Sequence, residues 1–356
     1  MNWDDLGFTC ELEKFIKENN LNNLDIGRVT AEHKERYIVR TAEGEFEAEI
    51  TGNLRFTAKS REEFPAVGDW VALTIYDSDF GIIHKILPRS SVIKRQAAGQ
   101  SGEVQIIAAN IDYAFIVQAV DRDFNINRLE RYLTICNTSK VSPIIVLSKT
   151  DLIPPQQVSE LVEKIKSRIE KVPVLAISNE TQAGYETLRA TMEKGKTYCL
   201  LGSSGVGKST LLNHLSGKNI MQTDTVSQST NKGRHITSHR ELVVLENGGI
   251  LVDNPGMREV GIAGSPGGLE ITFDKIAELS HSCRFIDCTH TTETGCSVIE
   301  AVEKGEIDEA SYQNYLKLER EKAHFEETVE EKRRKEKIFG KILKDYHKKD
   351  IKGKNF

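Results

Sequence analysis

The segment from Gly202 to Ser209 carries the residues best suited to bind a phosphate group. It reads Gly-Ser-Ser-Gly-Val-Gly-Lys-Ser, follows an apolar run and precedes a helix-forming stretch. In such a loop the glycines let backbone N–H groups converge on phosphate oxygens, and the helix N-terminus adds a favourable dipole. We expect Lys208 to contact the β and γ phosphates of a nucleotide, and Ser209 to contact magnesium. The nucleotide-binding residues predicted here are Gly202, Ser203, Ser204, Gly205, Val206, Gly207, Lys208, Ser209 and Thr210.

A second phosphate-contacting motif follows the apolar run from Ile250 to Val252. The run ends at Asp253, and Gly256 lies three residues further along the chain. A phosphate-loop enzyme needs a carboxylate at the end of a second strand to hold magnesium, usually through water. A glycine at the next turn lets a backbone N–H approach the γ-phosphate. We therefore predict that Asp253 and Gly256 belong to the same nucleotide site.

The polar segment 228–239 lies between these two motifs. A loop of this kind can order on a γ-phosphate and magnesium through a Thr hydroxyl, and we predict Thr237 for that role, with Ser238 as second choice. An ordinary surface loop is the alternative. Met257 stands where many such enzymes have a water-orienting Gln, and a thioether cannot replace it. We expect His235 to orient the water, the alternative being a His235 that lies in solvent or contacts RNA. The predicted catalytic residues are His235, Lys208 and Thr237.

The motif Ser148-Lys149-Thr150-Asp151, at the end of another apolar run, selects the base. It resembles a guanine-binding motif in which the carboxylate accepts hydrogen bonds from N1–H and the exocyclic amine. Adenine has neither donor at those positions, which argues against an ATP-using enzyme. Ser148 replaces the usual Asn, although its hydroxyl can still reach towards the phosphate loop. The predicted base-binding residues are Ser148, Lys149, Thr150, Asp151 and, after a further strand, Ser178.

The apolar runs that carry these motifs alternate with amphipathic helical segments over residues 96–268. Near-continuous apolar strands joined by helices predict a parallel sheet covered on both faces, which is a doubly wound α/β domain. The base motif precedes the phosphate loop, so the GTPase order is circularly permuted. Residues 1–95 show a short lead-in and then about five short β-rich runs, which fit an OB-type β-barrel. An SH3-like barrel, or a barrel used only for protein contact, is the alternative.

The predicted third domain, residues 269–356, contains four potential metal ligands within a short segment. Cys283, Cys288, His290 and Cys296 have the spacing C-x4-C-x-H-x5-C. Three thiolates and an imidazole suit tetrahedral zinc, and four protein ligands favour a structural role. We therefore predict one structural Zn²⁺ in a helical zinc-binding domain, besides the Mg²⁺ that accompanies GTP. Unrelated thiols are the alternative.

Composition and charge indicate a globular protein of the cytoplasm. The chain has 356 residues, 38% of them apolar and 28% charged, with a net charge of -5. No apolar run approaches the roughly 18 residues of a membrane span, so we expect no membrane partner. The tail from Lys332 to Phe356 is dense in Lys and Arg, which is typical of contact with an RNA backbone, although a solvated helical face is the alternative.

Taken together, these motifs resemble the RsgA (YjeQ/YloQ) family of ribosome-associated GTPases. The resemblance is carried by the permuted order, the segment from Gly233 to Ser238, the segment from Asp253 to Glu259 and the Cys/His spacing. Asn254 replaces the Thr common in that family. The resemblance implies a barrel, a GTPase domain and a zinc domain in that order, and action in late maturation of the small ribosomal subunit. It also implies that the particle and its rRNA are the partners.

The sequence is compatible with two hypotheses of function. The first is a magnesium-dependent GTPase that binds the small ribosomal subunit and is stimulated by it. The second is an RNA-binding assembly scaffold in which GTP or GDP only tunes affinity. We expect a monomer in either case.

Overall fold

The computed structural model describes residues 3–33, 36–76, 79–96, 104–121, 124–217, 240–253, 267–326 and 334. Among these residues, no helix combines the length and the apolar character needed to cross a bilayer.

The N-terminal region is a closed five-stranded barrel. Its strands are β1 (Asp25–His33), β2 (Arg36–Thr41), β3 (Glu45–Ile50), β4 (Trp70–Ile75) and β5 (Phe80–Ile86). They pair in the order β1-β2-β3-β5-β4, and β1 also pairs with β4, which closes the barrel. Buried and half-buried residues alternate along β2 and β3, as expected for strands with one face on a core. The predicted barrel is therefore confirmed.

In the part of the N-terminal region that the structure describes, two short α-helices accompany the barrel. Helix α1 (Cys10–Glu18) belongs to the lead-in, where Thr9 caps its first turn. Its buried side chains, Leu12 and Ile16, pack with Trp70 in an apolar cluster outside the barrel interior. Helix α2 (Gly52–Thr57) follows β3 and buries no residue. The lead-in is thus held to the barrel by apolar contact.

The central region is a predominantly parallel sheet with helices on both faces. Its strands are β8 (Tyr113–Ala119), β9 (Ser142–Ser148), β10 (Val174–Ala176), β11 (Thr197–Leu201), β12 (Arg240–Val244) and β13 (Ile250–Asp253). A separate antiparallel pair, β6 (Val92–Gln96) and β7 (Val104–Ala109), lies between barrel and sheet in the sequence. The helices are α3 (Ile126–Thr138), α4 (Pro155–Lys166), α5 (Tyr185–Ala190) and α6 (Lys208–Ser216).

The strands of this sheet follow the order β10-β9-β8-β11-β13-β12. The first five are parallel, and β12 is antiparallel to β13. Successive residues of β8 face opposite apolar clusters: Phe115 and Val117 belong to one, and Ile116 to the other. A sheet buried on both faces explains why the strands read as continuous apolar runs, and the predicted doubly wound domain is confirmed.

The barrel and the central sheet are joined by hydrogen bonds. Strand β1 pairs with β12 at Ala31↔Glu241 and Glu32↔Arg240, so barrel and sheet share one continuous ladder. Beside this ladder lies the buried Arg28, whose guanidinium donates to the backbone of three segments and to the Thr197 hydroxyl at the start of β11. Burial lowers the pKa of Arg28 to about 10, which leaves it charged at neutral pH.

Over residues 267–326, the C-terminal region has four helices around a loop that contains the Cys/His residues. They are α7 (Gly268–Thr272), α8 (Asp274–Ser280), α9 (Ser297–Glu303) and α10 (Glu309–Glu326). Leu269 and Phe273 share one apolar cluster with Leu129 and Leu133 of α3. The core of the central sheet therefore continues into the C-terminal region. The predicted boundaries at residues 95 and 268 stay predictions.

Candidate nucleotide and metal sites

The phosphate-loop motif lies where strand β11 gives way to helix α6. Gly202 follows the last residue of the strand, and Lys208 is the first residue of the helix. Gly202 has a φ of +145°, and a Cβ there would lie 2.3 Å from the carbonyl oxygen of Val117 in β8. A side chain cannot fit at that approach, so the loop requires glycine where it leaves the sheet.

The side chain of Lys208 folds back over the start of the same loop. Its Nζ donates to the carbonyl oxygen of Gly202 at 2.8 Å and to that of Ser203 at 2.5 Å. Ser209 and Thr210 follow in the first turn of α6 and are half-buried, whereas Ser204 and Gly205 are exposed at the tip of the loop. An ammonium group and a helix N-terminus therefore converge on one exposed loop, which is the arrangement that attracts a phosphate anion.

Ser148 connects the predicted base motif to the phosphate loop. It is the last residue of β9 and is fully buried, and its Oγ donates to the carbonyl oxygen of Val206 at 2.7 Å. The expected reach of this hydroxyl towards the loop is present. Lys149 has a left-handed φ of 61°, and its Nζ pairs with Asp121 Oδ2 at 2.8 Å.

Asp151 and Ser178 meet at the carboxyl edge of the sheet. Ser178 Oγ donates to Asp151 Oδ1 at 2.5 Å, and the Thr150 N–H donates to the Ile177 carbonyl at 3.2 Å. The structure thus brings together the two predicted base-contacting segments, which are separated by 27 positions in the sequence. Whether they bind a guanine base stays a prediction.

Asn179 is a residue at this site that sequence reasoning missed. Its Nδ2 donates to the carbonyl oxygen of Gly207 at 3.0 Å, and its Oδ1 accepts from the Tyr185 hydroxyl at 2.8 Å. Tyr185 is buried, which raises its pKa and keeps the hydroxyl protonated as a donor. Asn179 therefore ties the Ser178 segment to the end of the phosphate loop. In the sequence, its position directly after the predicted base-contacting residue Ser178 could have indicated that it belongs to the site.

The remaining predicted nucleotide residues are placed only in part. Asp253 ends β13, which runs parallel to β11, so its backbone lies at the same sheet edge as the phosphate loop. The predicted residues His235, Thr237 and Gly256 lie outside the described residues, as do Ser238 and Met257. Their roles stay predictions.

The four Cys/His residues converge in the C-terminal loop. The ligand atoms of Cys283, Cys288, His290 and Cys296 all lie within 4.8 Å of one another. His290 Nδ1 is 3.4 Å from Cys296 Sγ and 3.6 Å from Cys283 Sγ. Three sulfurs and one imidazole nitrogen at such distances fit a single tetrahedral metal ion. The cluster could therefore hold one metal, as the spacing predicted.

Packing orients the imidazole in this cluster. His290 is buried, has a left-handed φ of 57° and accepts a hydrogen bond at its backbone carbonyl from the Tyr312 hydroxyl of α10. Burial lowers the pKa of His290, which favours the neutral imidazole that binds metal. Cys296 is buried at the start of α9 and accepts at Sγ from the Ile299 N–H, 3.5 Å away. The ligands are thus fixed by the helices on both sides.

Known proteins of one family resemble this chain along nearly its whole length. Residues 86–263 match the family described as RsgA GTPase. Among the relatives is "Small ribosomal subunit biogenesis GTPase RsgA 1" of Bacteroides thetaiotaomicron, 41% identical over 96% of this chain and 96% of its own length. "Small ribosomal subunit biogenesis GTPase RsgA" of Opitutus terrae is 39% identical over 91% of this chain and 89% of its own length.

Solved structures give a consistent result. YjeQ from Thermotoga maritima aligns with a TM-score of 0.62 and 27% identity, covering 83% of this chain and 96% of that one. YloQ, described as a circularly permuted GTPase, aligns with a TM-score of 0.59 and 25% identity, covering 83% and 94%. Both likenesses extend well beyond the central sheet.

Proposed function

This chain belongs to the RsgA family of GTPases, and from that premise we propose that it hydrolyses GTP while assisting late maturation of the small ribosomal subunit. Its relatives carry the name of a small ribosomal subunit biogenesis GTPase at about 40% identity over most of the chain. The observation that carries the enzymatic half of the proposal is the convergence of the Ser148–Asp151 motif, Ser178 and the phosphate loop at one sheet edge.

For base selection, we assign the hydrogen bonds to N1–H and the amine of guanine to the Asp151 carboxylate. Ser178 holds that carboxylate by a 2.5 Å hydrogen bond, which fixes its orientation. Lys149, kept in place by Asp121, lays its alkyl stem along the base. An adenine ring offers no donor to a carboxylate at this place, so GTP and GDP are the nucleotides expected.

For phosphate binding, we assign the backbone N–H groups from Gly202 to Thr210, with Lys208 as the cation that contacts the β and γ phosphates. We assign Ser209 and Asp253 to Mg²⁺, which they would hold directly or through water. Magnesium supplies charge neutralisation between the β and γ phosphates. These groups of the protein fix the position of the triphosphate. They also stabilise the negative charge that develops as the bond to the γ-phosphate breaks.

For water activation, we propose His235, supported by Thr237, because Met257 cannot orient a nucleophile. An imidazole can accept a proton from the attacking water and then pass it to the phosphate product. We expect His235→Ala to leave GTP affinity nearly unchanged and to lower particle-stimulated turnover by about tenfold or more. Stimulated turnover at the wild-type rate in that variant would place the water-orienting group elsewhere.

For the metal and the partners, we propose one structural Zn²⁺ at Cys283, Cys288, His290 and Cys296. A Cys3His set is typical of structural zinc in protein domains. The basic tail from Lys332 supports contact with rRNA, since clustered Lys and Arg bind phosphate backbones. We further propose a monomeric protein of the cytoplasm.

The test is GTP turnover measured with and without purified small ribosomal subunits. We expect acceleration by small subunits and no acceleration by large subunits at the same concentration. Lys208→Ala, which lacks the phosphate-contacting cation, should show no turnover under either condition. If small subunits bind the protein but leave turnover unchanged, the scaffold interpretation replaces the stimulated enzyme.

A further inference from the structure

Helix α3 begins beside the phosphate loop. It follows β8, the strand adjacent to β11, so its first turn lies at the sheet edge from which the loop emerges. The Nη1 of Arg128, in this turn, donates to Ser203 Oγ at 2.9 Å. The side chain of Arg128 in α3 therefore holds the second residue of the phosphate loop.

The same helix is bound to the C-terminal helix α10. Arg131 of α3 forms an ion pair with Glu321 of α10. Asn314 of α10 donates to the Asn127 carbonyl at 3.1 Å and to Glu130 Oε2 at 2.7 Å. These contacts cover about two turns of α10 and meet α3 on either side of Arg128, which contacts the loop.

The buried carboxylate of Glu130 strengthens this second contact. Only 3% of its side chain is exposed, and it accepts hydrogen bonds from Arg168 at 2.7 Å and Ser311 at 2.9 Å, besides Asn314. A buried carboxylate with three donors is costly to displace, because each lost partner leaves a desolvated charge. The position of α3 is thereby fixed against α10 and the segment after α4.

Charge supports a role for Arg128 beyond packing. Arg128 brings a cationic guanidinium next to the phosphate loop, at Ser203. A cation at that place favours bound phosphates electrostatically and holds Ser203 through a directed hydrogen bond. Loss of Arg128 would weaken both effects without opening the core, since the side chain is only half-buried.

We propose that Arg128 is a positioning residue for the phosphate loop, and that helix α3 makes this loop sensitive to the packing of the C-terminal helix α10. The proposal rests on the assignment of the loop from Gly202 to Ser209 to nucleotide phosphates. It requires no ribosomal particle, so it can be tested on the isolated protein.

The first experiment measures equilibrium binding of fluorescent GDP to the full chain. Arg128→Ala is expected to raise the Kd about tenfold, the usual effect of losing one charge-assisted hydrogen bond. Arg128→Lys should recover part of the loss, because it keeps the charge but not the fork of donors. Ser203→Ala combined with Arg128→Ala should cost little more than Arg128→Ala alone. The thermal unfolding midpoint of Arg128→Ala should stay at the wild-type value.

The second experiment measures the rate of GDP dissociation after the α10 contact is broken. Glu321→Gln removes the ion pair with Arg131 and should change the rate about threefold, within the range of coupling through packed networks. Glu300→Gln is the matched control, because Glu300 pairs with Lys304 on the exposed surface of α9. It should leave the rate unchanged.

Three outcomes would overturn the proposal or its premise separately. An unchanged GDP affinity in Arg128→Ala refutes the positioning role. Equal rates in Glu321→Gln and the wild type refute the link to α10. If the wild-type protein binds no guanine nucleotide, the proposed function itself is wrong. That result does not depend on either variant.

Discussion

The metal cluster and the nucleotide site differ in how the chain assembles them. The four metal ligands come from the 14 residues between Cys283 and Cys296, and their ligand atoms meet within 4.8 Å. The candidate nucleotide site collects residues from the ends of β8, β9, β10, β11 and β13, strands that lie between residues 113 and 253. The first site depends on one loop, whereas the second depends on a sheet whose core is already formed. Mutations at the two sites should therefore differ in their effects on folding and on nucleotide binding.

Removal of a metal ligand should give the largest effect. We expect Cys288→Ala to lose the bound metal and to unfold the loop and its flanking helices, because metal binding supplies several kcal/mol of folding free energy. Nucleotide should still bind, because the sheet edge does not include this loop. The rate of GDP dissociation should change, however, since α10 contacts both His290 and helix α3. Metal analysis of purified protein, followed by limited proteolysis of both forms, provides the measurement. Wild-type protein that contains no metal would contradict the assignment.

A change of base specificity should be the next largest effect. In Asp151→Asn one acceptor becomes a donor, so GTP should bind about 100-fold more weakly while xanthosine triphosphate binds more tightly. No unfolding should accompany the change, in contrast to the metal variant. Affinities for GTP, xanthosine triphosphate and ATP test this prediction. A variant that still prefers GTP would show that Asp151 does not contact the base.

Loss of the Asn179 link should have a smaller effect. Asn179→Ala removes the hydrogen bond to the Gly207 carbonyl and leaves the Tyr185 hydroxyl without its acceptor. We expect GDP affinity to fall about fivefold, the equivalent of about 1 kcal/mol. Asn53→Ala, at an exposed position of α2, is the matched control and should bind GDP normally. Equal GDP affinities in Asn179→Ala and Asn53→Ala would show that Asn179 does not support nucleotide binding.

The smallest effect is expected at Ser148. Ser148→Ala deletes a buried hydroxyl and leaves the Val206 carbonyl without that donor, which should weaken GDP binding about threefold. Ser148→Asn, which restores the residue usual in guanine motifs, should bind GDP at least as tightly as the wild type. Isothermal titration of the three proteins gives the comparison. A tighter-binding Ser148→Ala would mean that the hydroxyl does not support the loop.

The same difference explains what could be predicted from the sequence. The convergence of the four Cys/His residues was predictable because they lie within 14 residues of the sequence, and the phosphate loop was predictable because it is contiguous. The contacts of Asn179 and Arg128 with that loop were not, since they depend on which strands become neighbours in the sheet. Patterning predicted the barrel and the doubly wound sheet, but nothing local to β1 or β12 indicated that they pair. His235, Thr237 and Gly256 lie outside the described residues, so those predictions await a test.

The pairing of β1 with β12 has a consequence for any attempt to study the central sheet alone. An uncovered strand offers a row of N–H and C=O groups to other chains, and edge strands of this kind promote self-association. In the full chain the barrel occupies that row at Glu241 and Arg240. A fragment that begins after residue 95 would lose this cover together with the Arg28 contact to Thr197. The barrel therefore covers β12, which would otherwise be an exposed edge strand of the central sheet. We expect the isolated central region to aggregate unless charged or proline substitutions are introduced into β12.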